Sequence, residues 1–243
     1  MLSIIIISKQ EEKELPKLLE SIKQQKPIPE ELEIILSDAQ STDKTREIGK
    51  SYNCKIVEGG LPSVGRNNGA REAKGDLLLF LDADITLPKD FLKSTVSEFR
   101  KKNLSLGTVK YIPMSTKFID KFLLWLYNGF AKLIQYVDPH AAGICIFCTK
   151  DIFSKTNGFD EKLLLGEDYE FCRRAGKLGK FRILNSSFLN YNLRRFANDG
   201  RFTFVAKCFK GFFYRLFVGE QYSPQFNYIL QGGVKITKHK KIP

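Results

Sequence analysis

No apolar run in this chain approaches the ~20 residues needed to cross a bilayer, so a membrane-spanning helix is not expected. The opening stretch MLSIIIISKQEEKELP has an apolar run, but no basic residue precedes it and no small-residue cleavage site follows. It reads as a first strand rather than a signal peptide. Cysteine is sparse and odd in number, five in all, a usage that suggests reduced thiols in a cytosolic setting. Cys145 and Cys148 form a C-x-x-C, yet GICIFCTK alternates like a strand and no second pair completes a zinc site. Internal repeats and low-complexity linkers are also missing. Acidic residues are few beside basic ones, 27 against 39, leaving a net charge of +12. That balance points to anionic partners: nucleotide phosphates, an acidic membrane surface or nucleic acid.

What is present reads as a folded α/β protein. At 243 residues, 43% hydrophobic and 27% charged, the chain is long enough to bury a core within one domain of ordinary size. LSIIIIS, ELEIILSDA, CKIVEGG and the run ending at Asp82 read as strands. Between them EEKELPKLLESIKQQ, STDKTREIGKSY and a short segment around RNNGAREAKG carry helical spacing. The second helix is expected to open on a Ser41/Thr42 cap with Asp43 in its first turn. Near-continuous apolar strands alternating with amphipathic helices imply a mostly parallel sheet covered on both faces.

One segment, GDLLLFLDADITLP, drives five apolar residues, Leu77 to Leu81, straight into Asp82-Ala83-Asp84. In an open α/β sheet ligands bind beyond the carboxyl ends of the strands. Residues one apart on an extended chain point to the same side, so Asp82 and Asp84 can converge on one ligand. Such like charges repel unless a cation lies between them, and oxygen-only ligation favours Mg²⁺ or Mn²⁺ together with substrate phosphates. The plainer reading of the pair is a turn and helix cap.

IILSDAQSTDKT, GRNNGAREAKGDLLLFLDADI and NGFDEKLLLGEDYEFCRRA occur in this order. Together they resemble the family-2 glycosyltransferases, with a Rossmann-like GT-A fold, over about residues 2 to 200. The resemblance implies an inverting, metal-dependent, hexosyltransferase-type enzyme that takes a sugar from a nucleotide diphosphate. It implies that Asp84 ligates Mn²⁺ or Mg²⁺ and that Asp82 lies beside it near the donor ribose. Glu11 matches the family pattern after the first strand, where the usual aromatic is absent. Asp38 matches after the second strand, where the second aspartate of the pattern is Ala39. Uridine is the base the family favours. Arg66 of GRNNGA would reach the diphosphate or the base, with Gly65 and Gly69 letting backbone approach the ligand. Asp168 would be the general base and Glu167 its neighbour in the acceptor site. A helix starting near Glu167 would turn Phe171 and Cys172 inward. In NYNLRRFANDG, Arg194 or Arg195 would hold the pyrophosphate, with Phe196 alongside. His140, in the VDPHAAG loop, is a weaker candidate for the acceptor or the metal, and His239 has no role.

The chain is therefore expected to divide into a GT-A domain, 1–200, and a basic amphipathic extension, 201–243. The extension has eight Lys and Arg against one acid, Glu220. In RFTFVAKCFKGFFYRLF, helical spacing gathers Phe202, Val205, Phe209, Phe212, Phe213 and Leu216 on one face and Thr203, Lys207, Lys210 and Tyr214 opposite. This pattern suits a helix in a membrane interface, or one docked on the domain. A second apolar stretch, Lys117 to Val137, contains Trp125 and Tyr127 and is placed beside it. The expected partners are a nucleotide-sugar donor, a hydroxyl acceptor (lipid-linked or a glycan) and an anionic membrane, on whose inner face the protein would lie from the cytoplasm. Nucleic acid is not expected; a basic nucleic-acid-binding protein and an inactive glycosyltransferase-like scaffold are the competing readings.

Overall fold

The structure, a computed structural model, describes residues 1–163 and 166–191 and two short strands, Tyr228–Ile229 and Lys235–Ile236. Arg194, Arg195, Phe196, the amphipathic segment 201–217 and His239 lie outside the described residues. The chain alternates β1(Leu2–Ser8), α1(Leu15–Lys23), β2(Leu32–Asp38), α2(Thr45–Ser51), β3(Lys55–Glu58), α3(Pro62–Glu72) and β4(Leu77–Asp82). It continues through α4(Phe91–Lys101), β5(Leu106–Pro113), α5(Phe118–Ile134), β6(Cys145–Thr149), α6(Lys150–Lys155), α7(Glu167–Gly176) and β7(Phe181–Tyr191). Strands β8(Tyr228–Ile229) and β9(Lys235–Ile236) pair with each other.

The main sheet has seven strands in the order β3-β2-β1-β4-β6-β5-β7. Only β6 runs against its neighbours, antiparallel to both β4 and β5. Its apolar run is buried on both faces like the parallel strands, so composition could not single it out. Apolar side chains alternate between two cores. Ile4 and Ile6 meet α1 and α4 on one face, whereas Ile5 meets α3, α6 and α7 residues on the other. Cys145 and Cys148 fall into opposite cores, because positions three apart on a strand point to opposite sides. Burial pushes both thiols well above their ordinary pKa, so they behave as core residues rather than as a ligand or redox pair.

Two local expectations are corrected. Helix α2 begins at Thr45, not at Ser41, because the Asp43 carboxylate itself accepts from the Thr45 amide and hydroxyl, at 3.0 and 2.5 Å. Gly65 and Gly69 do not open α3 to a ligand. A side chain at Gly65 would press on Ile7, and one at Gly69 would clash with Ile5, so both let α3 lie close on the sheet.

Candidate functional site

The parallel strands bring their carboxyl ends to one edge, where Ser8 pairs with Asp38 and Ile7 with Asp82. Asp38 is fully buried. Its carboxylate accepts from the Ser8 hydroxyl at 3.1 Å and from the Ser41 hydroxyl and amide at 2.5 and 3.0 Å. The loops after β1 and β2 are joined residue by residue. The Gln10 amide donates to Ser41 Oγ at 2.8 Å, Glu11 to Thr45 Oγ1 at 2.9 Å and Glu12 to Asp43 Oδ2 at 3.1 Å. Glu11 is buried at this junction. Gln10 and Gln40, just past the two strands, both adopt left-handed backbone with φ of 57° and 55°. Such residues cost about 1 kcal/mol or more and persist where the surroundings impose them, often at binding sites.

β4 is buried from Leu77 to Leu81 and emerges at Asp82. Beyond the strand the alternation persists: Ala83 and Ile85 are buried, while Asp82 and Asp84 are half-buried in the turn. Opposite them α7 starts after Gly166, whose φ of +80° is left-handed and suits glycine. Phe171, Cys172 and Ala175 anchor α7 in the core, as its periodicity predicts. Glu167 and Asp168 thereby occupy a first helical turn, where the helix dipole favours negative charge.

A single buried cation joins the two groups. Arg66, only 3% exposed, donates from Nη1 to Glu167 Oε1 at 2.8 Å and from Nη2 to Asp82 Oδ1 at 3.3 Å. Nη2 also donates to the Gly143 carbonyl at 3.2 Å, and the guanidinium lies 5.4 Å from the Phe159 ring centre. Its Nε has no hydrogen-bond partner among the described residues. Burial works against the arginine's charge, but Glu167, Asp82 and Asp168 outweigh it and hold its pKa above the ordinary value. Burial chiefly, and then the neighbouring Asp168, raise the Glu167 carboxyl against the pull of Arg66.

Asp168 is fixed by backbone. Oδ2 accepts from the Gly143 amide at 2.6 Å and Oδ1 from the Tyr169 amide at 2.8 Å. Gly143 thus serves the arginine with its carbonyl and Asp168 with its amide, a position that no sequence motif marks. His140 lies nearby, its ring centre 5.9 Å from that of Tyr169 and 6.4 Å from that of Tyr127. Of the expected site residues, Asp82, Arg66, Glu167 and Asp168 form one connected cluster. Asp84 follows Asp82 in the same turn, and Glu11 and Asp38 stand at the ends of the adjoining strands. Among the described residues no group of three or more His, Cys, Asp or Glu side chains is arranged to hold a metal ion by itself. The pair Asp82 and Asp84 supplies the hard oxygen donors that Mg²⁺ or Mn²⁺ takes alongside ligand phosphates and water.

Comparison with known proteins places this arrangement. Residues 3–156 match the family model described as Glycosyl transferase family 2, a match that ends before Glu167 and Asp168. An uncharacterized glycosyltransferase of Haemophilus influenzae is 29% identical over 192 residues, covering 70% of this chain and 60% of that protein. The 4,4'-diaponeurosporenoate glycosyltransferase of Staphylococcus haemolyticus is 38% identical over 95 residues, 35% of this chain and 24% of its own length. The chain thus spans less than two thirds of these relatives, 60% of one and 24% of the other. Among solved structures, Staphylococcus aureus TarS in complex with UDP-GlcNAc superposes with a TM-score of 0.64 at 20% identity, covering 79% of this chain and 58% of that one. The mannosyltransferase PcManGT of Pyrobaculum calidifontis, in complex with GDP-Man and Mn²⁺, gives 0.65 at 15% identity, over 86% and 64%. These likenesses identify the fold as the GT-A type. With the family model matched over more than half its length, the chain belongs to glycosyl transferase family 2.

Proposed function

We propose that this protein is an inverting glycosyltransferase that moves a sugar from a nucleotide diphosphate sugar, UDP-sugar by preference, to an acceptor hydroxyl. The observation that carries the reading is the Asp82–Arg66–Glu167 bridge, with Asp168 held beside it. It ties the strand end suited to a donor to the helix end suited to an acceptor. The nucleotide sugars bound by TarS and PcManGT support a donor of this class.

In this mechanism Asp38 and Glu11 position the nucleoside at the ends of β1 and β2. The Asp168 carboxylate takes the proton of the acceptor hydroxyl as its oxygen bonds to the anomeric carbon. The bond from that carbon to the diphosphate oxygen breaks on the opposite face, and its electron pair leaves with the nucleoside diphosphate. Asp84, with Asp82 beside it, would hold Mn²⁺ or Mg²⁺, which when bound neutralises charge on the diphosphate. Arg66 keeps Asp82 and Glu167 in register around the donor. Arg194 or Arg195 completes the grip on the pyrophosphate, and Glu167 shapes the acceptor site. The acceptor is read as a lipid-linked hydroxyl or a growing glycan met at the inner face of an anionic membrane. The basic 201–243 extension favours that surface, and no helix among the described residues is long and apolar enough to cross a membrane.

Thermal shift with a panel of nucleotides and nucleotide sugars, with and without Mn²⁺, tests the donor assignment. A ligand at one hundred times its Kd stabilises the fold by about 2.7 kcal/mol. A nucleotide sugar should raise the melting temperature with Mn²⁺ and less without it. No response from any nucleotide would sink the reading.

A further inference from the structure

Helix α5 wears its apolar side outward. At helical spacing Phe118, Phe122, Trp125, Leu126 and Leu133 fall on one side, Tyr136 extends the stripe in the turn just past the helix, and all are exposed, Phe118 by 79%, Trp125 by 68% and Leu133 by 76%. The side turned to the protein carries Asp120, Leu124 and Ala131. Asp120, the one acid of α5, is fully buried and accepts from the Ser115 hydroxyl at 2.6 Å. Lys117, Lys121 and Lys132 are exposed along one flank of the stripe. A surface helix normally shows the reverse arrangement, with its polar side in water.

Past the end of α5 the same surface opens into a basic cavity of about 400 Å³. Tyr136 and Val137 line it together with Arg173, Lys177, Lys180 and Arg182. The Arg182 guanidinium lies 4.3 Å over the Tyr136 ring, joining the charged hollow to the aromatic stripe. An exposed aromatic stripe continuous with a cluster of cations fits a lipid interface better than a second copy of the chain. An isologous dimer would set exposed lysines against a face on which α5 offers no exposed acid.

We infer that α5 and this cavity form one docking surface for an anionic membrane, with the stripe at the acyl boundary and the cavity at a head-group phosphate. The inner side of α5 borders the candidate site. The Tyr127, His140 and Tyr169 rings follow one another at 6.4 and 5.9 Å, and Tyr169, next in sequence to Asp168, donates its hydroxyl to Asp138 at 2.6 Å. Docking through α5 would therefore present Asp168 near the bilayer surface, where a lipid-linked hydroxyl arrives. That last step rests on the proposed glycosyl transfer; the docking does not.

The test uses the full chain and sedimentation with vesicles of phosphatidylcholine alone or mixed with phosphatidylglycerol. The wild type should pellet with the anionic vesicles, less so at high salt, and stay in solution with neutral ones. Trp125→Glu with Leu133→Glu, both at exposed positions, should weaken binding more than about tenfold. Lys177→Ala with Lys180→Ala should weaken it about fivefold per lysine. Unchanged circular dichroism and melting establish that each variant is folded. Variants that bind as well as the wild type, a wild type that binds no vesicle, or a dimer in solution abolished by Trp125→Glu would each overturn the inference. Nucleotide-sugar thermal shift without vesicles separates the two proposals. Retained donor response in the Trp125 variant confines a loss to docking, whereas no response in the wild type defeats the function and leaves the vesicle result standing.

Discussion

Arg66 Nη1 and Glu167 Oε1 stand 2.8 Å apart across 101 positions of sequence. The contact fastens α3 to the start of α7 and holds the guanidinium against Asp82 as well. Removing one partner of a buried ion pair strands the other, at a cost of about 3–5 kcal/mol. Arg66→Met should therefore lower the urea-unfolding free energy by about that amount. Adding Glu167→Gln to it should restore part of the loss, an interaction that a double-mutant cycle reads directly.

Asp84→Asn keeps the shape of the turn after β4 and removes a carboxylate. It should abolish the Mn²⁺-dependent part of nucleotide-sugar binding while the free protein still folds. Unchanged affinity and metal dependence, measured by calorimetry, would show that Asp84 does not hold the metal.

Asp168→Asn should retain donor binding and lose transfer by about 10²–10⁴-fold, the range for loss of a general base. Radiolabelled donor assays on Asp168→Asn and Glu167→Gln in parallel separate the two carboxylates. Normal turnover in the first with none in the second would exchange their roles.

Gly143→Ala tests the backbone support. A Cβ there would run into the Arg66 guanidinium, which cannot step aside because Glu167 and Asp82 hold it, and would come within 3.4 Å of Asp168 Oδ2. Overpacking of this kind costs about 1–3 kcal/mol. The variant should melt earlier and transfer more slowly than a control such as Gly129→Ala, where an added Cβ meets nothing within 4 Å.

Acid should weaken the fold through Glu30. Its carboxylate takes a forked pair of hydrogen bonds from Arg100, both 3.0 Å, and those bonds hold its pKa below the ordinary glutamate value. A carboxylate with a depressed folded pKa adds stability above its unfolded pKa and loses it as pH falls through the folded one. The melting temperatures of wild type and Glu30→Gln should therefore differ near neutral pH and converge in acid below the ordinary glutamate range. A gap that stays constant through that range would show that ionisation of Glu30 adds no stability through the pair.

Much of this molecule was legible in the residues themselves. The alternation of β-branched and leucine-rich runs with amphipathic segments determined strands and helices, because burial on a sheet face or helix side imposes a local period. The termination of β4 in Asp82, and the inward turn of Phe171 and Cys172 on α7, follow from the same local rule. What lies across long separations was not legible. The reversed β6, Gly143 serving both Arg66 and Asp168, and the use of Gly65 and Gly69 for packing on Ile7 and Ile5 all depend on which elements meet. Arg66 looked in sequence like a residue open to ligand, and tertiary structure buried it among carboxylates that neutralise it. Helix α5 shows the division most plainly. Its spacing determined an apolar side and a lysine flank, but periodicity is the same whichever way a helix is turned. Only packing decided that Leu124 and Ala131 face the protein while Trp125 and Leu133 face outward.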